Sequence, residues 1–211
     1  MGETFDVYDE EDRWIGTAER SEVHARGLWH RSFHCWLARA GEGDEVTILF
    51  QQRSSGKDTN PDKFDITAAG HLVAGETPRE AVRELEEELG VAIGFDQLTP
   101  FGTVREEDEG TALGIRYIDR EVSYVYGCVS DFDLTRFRLQ EEEVAGVYEA
   151  RASDLIALME GKLAELLARG IVSRGGLISP SEASVTRSAF VPRSESYYLD
   201  VFKRLRELAG R

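Results

Sequence analysis

The run from Gly70 to Val91, Gly-His-Leu-Val-Ala-Gly-Glu-Thr-Pro-Arg-Glu-Ala-Val-Arg-Glu-Leu-Glu-Glu-Glu-Leu-Gly-Val, leaves few choices of local structure. It reads as a glycine loop entering a capped helix. Thr77 followed by Glu80 is a capping box, in which the threonine hydroxyl takes the Glu80 amide and the carboxylate reaches back. Pro78 stands at the first helical position, where its missing N–H costs nothing, and Gly90 supplies a left-handed terminus. Val82, Leu85 and Leu89 form an apolar stripe. Beside it, Glu84, Glu87 and Glu88 share an arc of about 100°, while Glu86 points elsewhere. Like charges four residues apart cost about 0.2–0.5 kcal/mol per pair, so this arc needs a cation. Hard oxygen ligands on one face suit Mg²⁺ or Mn²⁺. Arg83, one turn before Glu87, is placed to hold that carboxylate in a ligating rotamer. The competing reading is a solvated acidic helix face.

Charge narrows the function classes. Forty Asp and Glu against 25 Lys and Arg give a formal net charge of −15 over 211 residues. Such a surface repels phosphate backbones, which argues against general nucleic-acid binding. An anionic substrate would need a metal and a few well-placed basic side chains. No apolar run approaches a membrane span. The acidic start, Met1-Gly-Glu-Thr-Phe-Asp6, lacks the regions of a signal peptide and the serine or threonine of a myristoylation motif. A cytoplasmic location is the expectation. Cys35 and Cys128 lie far apart in apolar runs and read as buried free thiols.

Around the glycine loop, strands are expected at Phe5–Asp9, Trp14–Arg20, Ser32–Ala38, Val46–Gln52 and Phe64–Thr67, with a loop at Glu22–His30 and a turn at Gly41–Asp44. Phe33, Cys35 and Leu37 would share one face of their strand, with His34 and Trp36 on the other. Strands at Leu98–Arg105 and Glu121–Val129 flank an acidic connection, Glu106–Gly110, and another is expected at Glu141–Tyr148. Ser153–Ala168 reads as an amphipathic helix capped by Ser153 and weakened at Gly161. Residues 170–195 show no period, and Tyr197–Leu208 reads as a final amphipathic helix. This order suits an α/β sandwich with a mixed sheet.

The glycine loop and the close Arg83-Glu84-Leu85-Glu86-Glu87-Glu88-Leu89-Gly90-Val91 resemble the signature of the Nudix hydrolases, G-x5-E-x7-R-E-U-x-E-E-x-G-U with U aliphatic. Gly70 and Glu76 match its opening, but six residues rather than seven separate Glu76 from Arg83. The resemblance implies a Nudix-type α/β/α sandwich over residues 1–160, with residues 161–211 as a helical extension packed on it. It also implies Mg²⁺ or Mn²⁺ held by Glu84, Glu87 and Glu88, and hydrolysis of a diphosphate linkage in a nucleoside diphosphate derivative or related small molecule. Arg83 and Glu87 would belong to the catalytic apparatus. The extension could serve as a lid, a homodimer contact or simple packing.

A second resemblance is to the Nudix branch that includes the isopentenyl-diphosphate isomerases. It rests on His24 and His30 of the early run, Arg53-Ser-Ser-Gly-Lys57 through Pro61, and Gly70-His71. By that likeness His24, His30 and His71, with Asp119 and Glu121, would hold a second metal, and Lys57 with Arg53 would contact the diphosphate. The isomerases carry a cysteine before Gly-His. This chain has Ala69, which cannot relay a proton. Glu121 leads the candidates for general base, ahead of Glu107 and Glu141–Glu143. An isomerase, a silent diphosphate-binding module, and a sensor whose extension binds a partner are the alternatives to a hydrolase.

Overall fold

The computed structural model describes residues 2–41, 45–112, 114–194 and 196–210. The turn expected at Gly41–Asp44 falls outside these apart from Gly41. The elements run β1 (Thr4–Tyr8), β2 (Trp14–Glu19), α1 (Arg20–Arg26), β3 (Trp29–Ala40), β4 (Val46–Arg53), β5 (Phe64–Asp65), β6 (Ala68–His71), α2 (Arg83–Leu89), β7 (Thr99–Ala112), β8 (Ile115–Val129), β9 (Val144–Arg151), α3 (Ala152–Met159), β10 (Glu165–Arg174), β11 (Leu177–Thr186) and α4 (Tyr197–Ala209).

Strand β3 is the axis of the mixed sheet. It pairs antiparallel with β1, β4 and β6, and parallel with β8. The order β11-β10-β9-β4-β3-β1-β2 continues the sheet on either side. Alternation along β3 divides the core as expected of a strand buried on both faces. Trp36 and Ala38 pack with Ile48, Phe50, Leu155 and Phe202, under α3 and α4. Phe33, Cys35 and Leu37 pack with Leu49, Leu85 and Leu89, under α2. Helices thus cover both faces, giving the α/β/α sandwich. Both cysteines are buried and free. No helix among the described residues is long and apolar enough to cross a membrane.

The structure departs from sequence expectation where tertiary pairing outweighs local pattern. The helix expected to Ala168 stops at Met159, and Gly161 takes a left-handed φ of 70°. Residues 165–186 are then a β-hairpin that adds to β9, so the described residues of 161–211 hold two strands, a 3-10 turn at Arg187–Ala189 and one α-helix rather than a purely helical extension. Gly170 is needed there, because a Cβ would sit 2.4 Å from the Val147 carbonyl oxygen and 2.5 Å from the Tyr148 ring. Pro180 is tolerated because β11 is an edge strand. The loop expected at Glu22–His30 begins inside α1, whose buried residue is Val23 alone. One apolar contact in seven residues leaves no period to read. The acidic run Glu106–Gly110 lies within β7, which pairs with β8 from Thr99 to Ala112.

Helix α4 seals the Trp36 face through Phe202, which is fully buried and meets Trp36 edge-to-face with ring centroids 5.3 Å apart. Phe202→Ala should cost about 3–5 kcal/mol through lost transfer energy and the cavity left behind. Chemical denaturation of the variant checks this, and a loss near zero would mean α4 is only loosely attached.

Candidate active site

The parallel register of β3 on β8 sets His30 opposite Glu121, and the antiparallel β3–β6 register sets Ser32 opposite His71. Helix α1 brings in His24. The ligand atoms of His24, His30, His71 and Asp119 all lie within 4.8 Å of one another. Asp119 Oδ1 is 3.5 Å from His24 Nε2 and 3.6 Å from His30 Nε2. His71 Nε2 meets Glu121 Oε1 at 2.9 Å, and the other Glu121 oxygen accepts from the Ser32 hydroxyl at 2.9 Å.

His30 is oriented for ligation. Its Nδ1 lies 3.1 Å from the Leu28 carbonyl, which assigns the N–H to Nδ1 and leaves the Nε2 lone pair facing the cluster. Burial pushes this imidazole down to about 4, so it is neutral near pH 7. Among the described residues, both His30 Nε2 and Asp119 Oδ1 are buried without a hydrogen-bond partner. Each such orphan costs about 1–3 kcal/mol, and two of them facing each other fit a shared cation. Burial pushes the Glu121 carboxyl up, but the His71 hydrogen bond and the neighbouring imidazoles outweigh it and hold the group well below the usual carboxylate range.

The glycine loop presses the acidic helix against this cluster. A Cβ on Gly70 would lie 2.2 Å from Glu84 Cδ, so a side chain here would displace the Glu84 carboxylate from its present place. Helix α2 begins at Arg83 rather than Pro78. Residues 77–85 are wound mainly by hydrogen bonds to the third preceding carbonyl, such as Glu80 N–H to Thr77 O (3.0 Å) and Glu84 N–H to Ala81 O (3.1 Å). That winding rises about 2.0 Å per residue against 1.5 Å in an α-helix. Half of the capping box forms: Glu80 accepts from the Thr77 amide at 2.9 Å, but the Thr77 hydroxyl also donates to Glu80 instead of accepting its amide.

Arg83 is the organising cation of this face. Its Nε donates to Glu76 Oε1 at 2.7 Å, and its Nη1 lies 2.8 Å from Glu84 and 2.6 Å from Glu87. Glu76 in turn accepts the Val73 amide, tying the loop to the helix. Glu87 is half exposed, whereas Glu88 is 5% exposed and accepts from the Ala69 amide. Burial pushes the Glu84 carboxyl up to about 7 and that of Glu88 to about 8. Glu86 is exposed, on the side away from the arc. Among the described residues the ligand atoms of Glu84, Glu87 and Glu88 do not converge as those of the histidine set do, since Arg83 occupies two of the three.

One open cavity of about 1160 Å³ is lined by His24, His71 and Asp119, with His30 buried behind them, and by Glu84, Glu87 and Glu88, together with Arg53 and Lys57. Arg53 donates to the Thr59 carbonyl and to buried Asp65, and Lys57 pairs with Glu143. Of the other acidic candidates, Glu107 pairs with Arg120 at 2.9 Å. Glu141 accepts from Ser173 and from the amides of Gly175 and Gly176, a structural role at the β10–β11 turn. Sequence reasoning misses Asp65 and Arg193, which also line the cavity and meet at 3.1 Å from positions 128 residues apart. No local pattern marks such a pair. His34, on the Trp36 face as expected, also lines the cavity, and its Nδ1 shares a hydrogen bond of 2.9 Å with the Tyr197 hydroxyl.

The NUDIX domain family matches residues 28–169. An uncharacterised Nudix hydrolase of Clostridium acetobutylicum is 35% identical over 204 residues, covering 96% of this chain and 97% of its own. An isopentenyl-diphosphate Delta-isomerase of Streptomyces coelicolor is 34% identical over 143 residues, 67% of each protein. A crystal structure of a Deinococcus radiodurans protein shares the fold at a TM-score of 0.55 and 22% identity, over 75% of this chain and 90% of that one. With the family's pattern covering most of the chain and a relative aligned nearly end to end, the chain belongs to the Nudix family.

Proposed function

We propose that this protein is a metal-dependent hydrolase that cleaves a diphosphate linkage in a nucleoside diphosphate derivative or related small molecule. The observation that carries this reading is a pair of buried atoms without a hydrogen-bond partner among the described residues, His30 Nε2 and Asp119 Oδ1, 3.6 Å apart, where Asp119 lines the cavity that also holds Arg53 and Lys57 and His30 lies buried behind it. A divalent cation held there by His24, His30, His71 and Asp119, and another at Glu84, Glu87 and Glu88, would neutralise phosphate oxygens and acidify water. Imidazole nitrogens favour Mn²⁺ over Mg²⁺ at the first position, and the all-carboxylate arc suits Mg²⁺. The carboxyls of Glu84 and Glu88, raised by burial, are those expected of ligands waiting for a cation.

The chain's own groups divide the remaining work. Arg53 and Lys57 grip the diphosphate with charge-assisted hydrogen bonds. Arg83 holds Glu87 in place. Glu121, kept ionised, takes the proton of the attacking water as its oxygen bonds to one phosphorus. The bridging P–O bond breaks, and the electron pair leaves with the second phosphorylated fragment. The isomerase alternative draws on the likeness to the Streptomyces enzyme. Against it, Ala69 offers only a methyl group beside Gly70-His71, so the proton relay for a double-bond shift is missing.

Three results would test the reading. Calorimetry of the chelator-treated protein should show Mn²⁺ binding that His30→Asn weakens by at least about tenfold, and turnover should vanish with excess chelator. Full turnover without metal would sink the mechanism. Lys57→Ala should raise KM more than it lowers kcat, since a phosphate contact made throughout the reaction is lost. Unchanged kinetics would remove Lys57 from the site. Glu86→Gln should leave activity near that of the unaltered protein, whereas Glu87→Gln should lower kcat about 10²-fold or more. Steady-state assays of this neighbouring pair separate a metal site from an acidic surface, because a merely solvated face predicts equal responses.

A further inference from the structure

Arg193 lies in the segment between β11 and α4, outside the residues matched by the Nudix family pattern. It is nonetheless part of the cavity wall, with its side chain 12% exposed. Its Nη2 donates to Asp65 Oδ1 at 3.1 Å, and its Nη1 to Glu106 Oε2 at 3.0 Å. The Ser194 amide donates to the other Glu106 oxygen at 2.9 Å, which fixes the backbone beside it. The guanidinium also lies over the Tyr197 ring, 5.2 Å from its centroid. All these contacts hold Arg193 in one orientation.

Asp65 has the same double attachment. Its Oδ2 lies 3.4 Å from Arg53 Nη1, so one carboxylate at 2% exposure separates two guanidiniums. Burial pushes the Asp65 carboxyl up, but Arg193 and then Arg53 outweigh it and keep the group ionised. Three charges of alternating sign in a row hold one another in place. Removing an end member leaves the buried carboxylate half-compensated, and it then pulls harder on the remaining arginine.

We propose that Arg193 is a positioning residue for diphosphate binding, acting through Asp65 to set the orientation of Arg53. The inference rests on the functional reading above, in which Arg53 contacts the diphosphate. The segment leading into α4 is thereby part of the site, and its role is to fix where the phosphate-binding guanidinium points. Charge alone does not suffice for this, because only a planar fork reaches Asp65 and Glu106 together.

The test uses inorganic diphosphate as the probe, with calorimetry on the full chain in Mg²⁺. Arg193→Lys should weaken binding about tenfold with little change in the melting temperature of the ligand-free protein. Arg53→Lys should weaken it as well, and the double variant should bind no more weakly than Arg53→Lys alone, since contacting residues are not additive. An affinity unchanged by Arg193→Lys, or losses that multiply in the double variant, would overturn the proposal. If Arg193→Lys does not fold, Asp65→Asn takes its place in the same cycle with the same expected outcome. Failure of both to fold would make the row a structural element and end the proposal. Absence of diphosphate binding by the unaltered protein would remove the functional reading, and this inference with it.

Discussion

Strand β3 is hydrogen-bonded along both edges, and the site depends on that constraint. A strand with parallel β8 on one side and antiparallel β6 on the other has no freedom to slip. A one-residue shift would turn every side chain to the opposite face. His30 therefore stays opposite Glu121 and His71 stays beside Ser32. Buried aromatic and aliphatic packing on both faces holds the register, so the same residues that stabilise the fold also set the distances within the histidine cluster. Geometry of this kind suits metal ligation, because three of the four candidate ligands, His30, His71 and Asp119, sit on paired strands and only His24 comes from a helix.

The acidic helix is positioned by different means. It is only seven residues long, too short to be stable by itself. Leu85 and Leu89 anchor it to the Phe33 face, and Arg83 ties Glu84 and Glu87 to Glu76 of the preceding loop. That arginine plays a cation's part for two of the three helix carboxylates, while Glu88 is buried and accepts from the Ala69 amide instead. The two halves of the site are thus held differently. One is built mainly into the sheet, and the other is a short helix anchored by buried leucines and trimmed by the Arg83 ion pairs.

The sequence exposes those parts of the molecule whose causes are local. The Gly70–Val91 run is readable because turn, cap and helix chemistry act over a few residues, and the alternation in β3 because side chains of a strand point to opposite faces. Ala69, His24, His30 and His71 become informative through a pattern shared with a known family. The 165–186 hairpin is not readable. Leu163, Leu166 and Leu167 fit a helical spacing, and only pairing with β9 decides for a strand. The Arg193–Asp65–Arg53 row is equally silent, since nothing near Asp65 announces a partner 128 positions away. Even the helix start is displaced, because residues 77–82 are wound mainly as successive turns although Thr77, Pro78 and Glu80 are good helix-start residues.

Helix α4 has a bearing on how such a chain comes into being. Its Phe202 and Leu205 cover the Trp36 side of the sheet, and its Tyr197 hydroxyl accepts from Trp36 and meets His34 on β3. During synthesis the central strands emerge long before residues 197–209 do, and chains are made at about 5–20 residues per second. For several seconds the nascent sheet thus has α3 alone over its Trp36 side, and the strip of that face seated under Phe202 and Leu205 stays open until the last helix arrives.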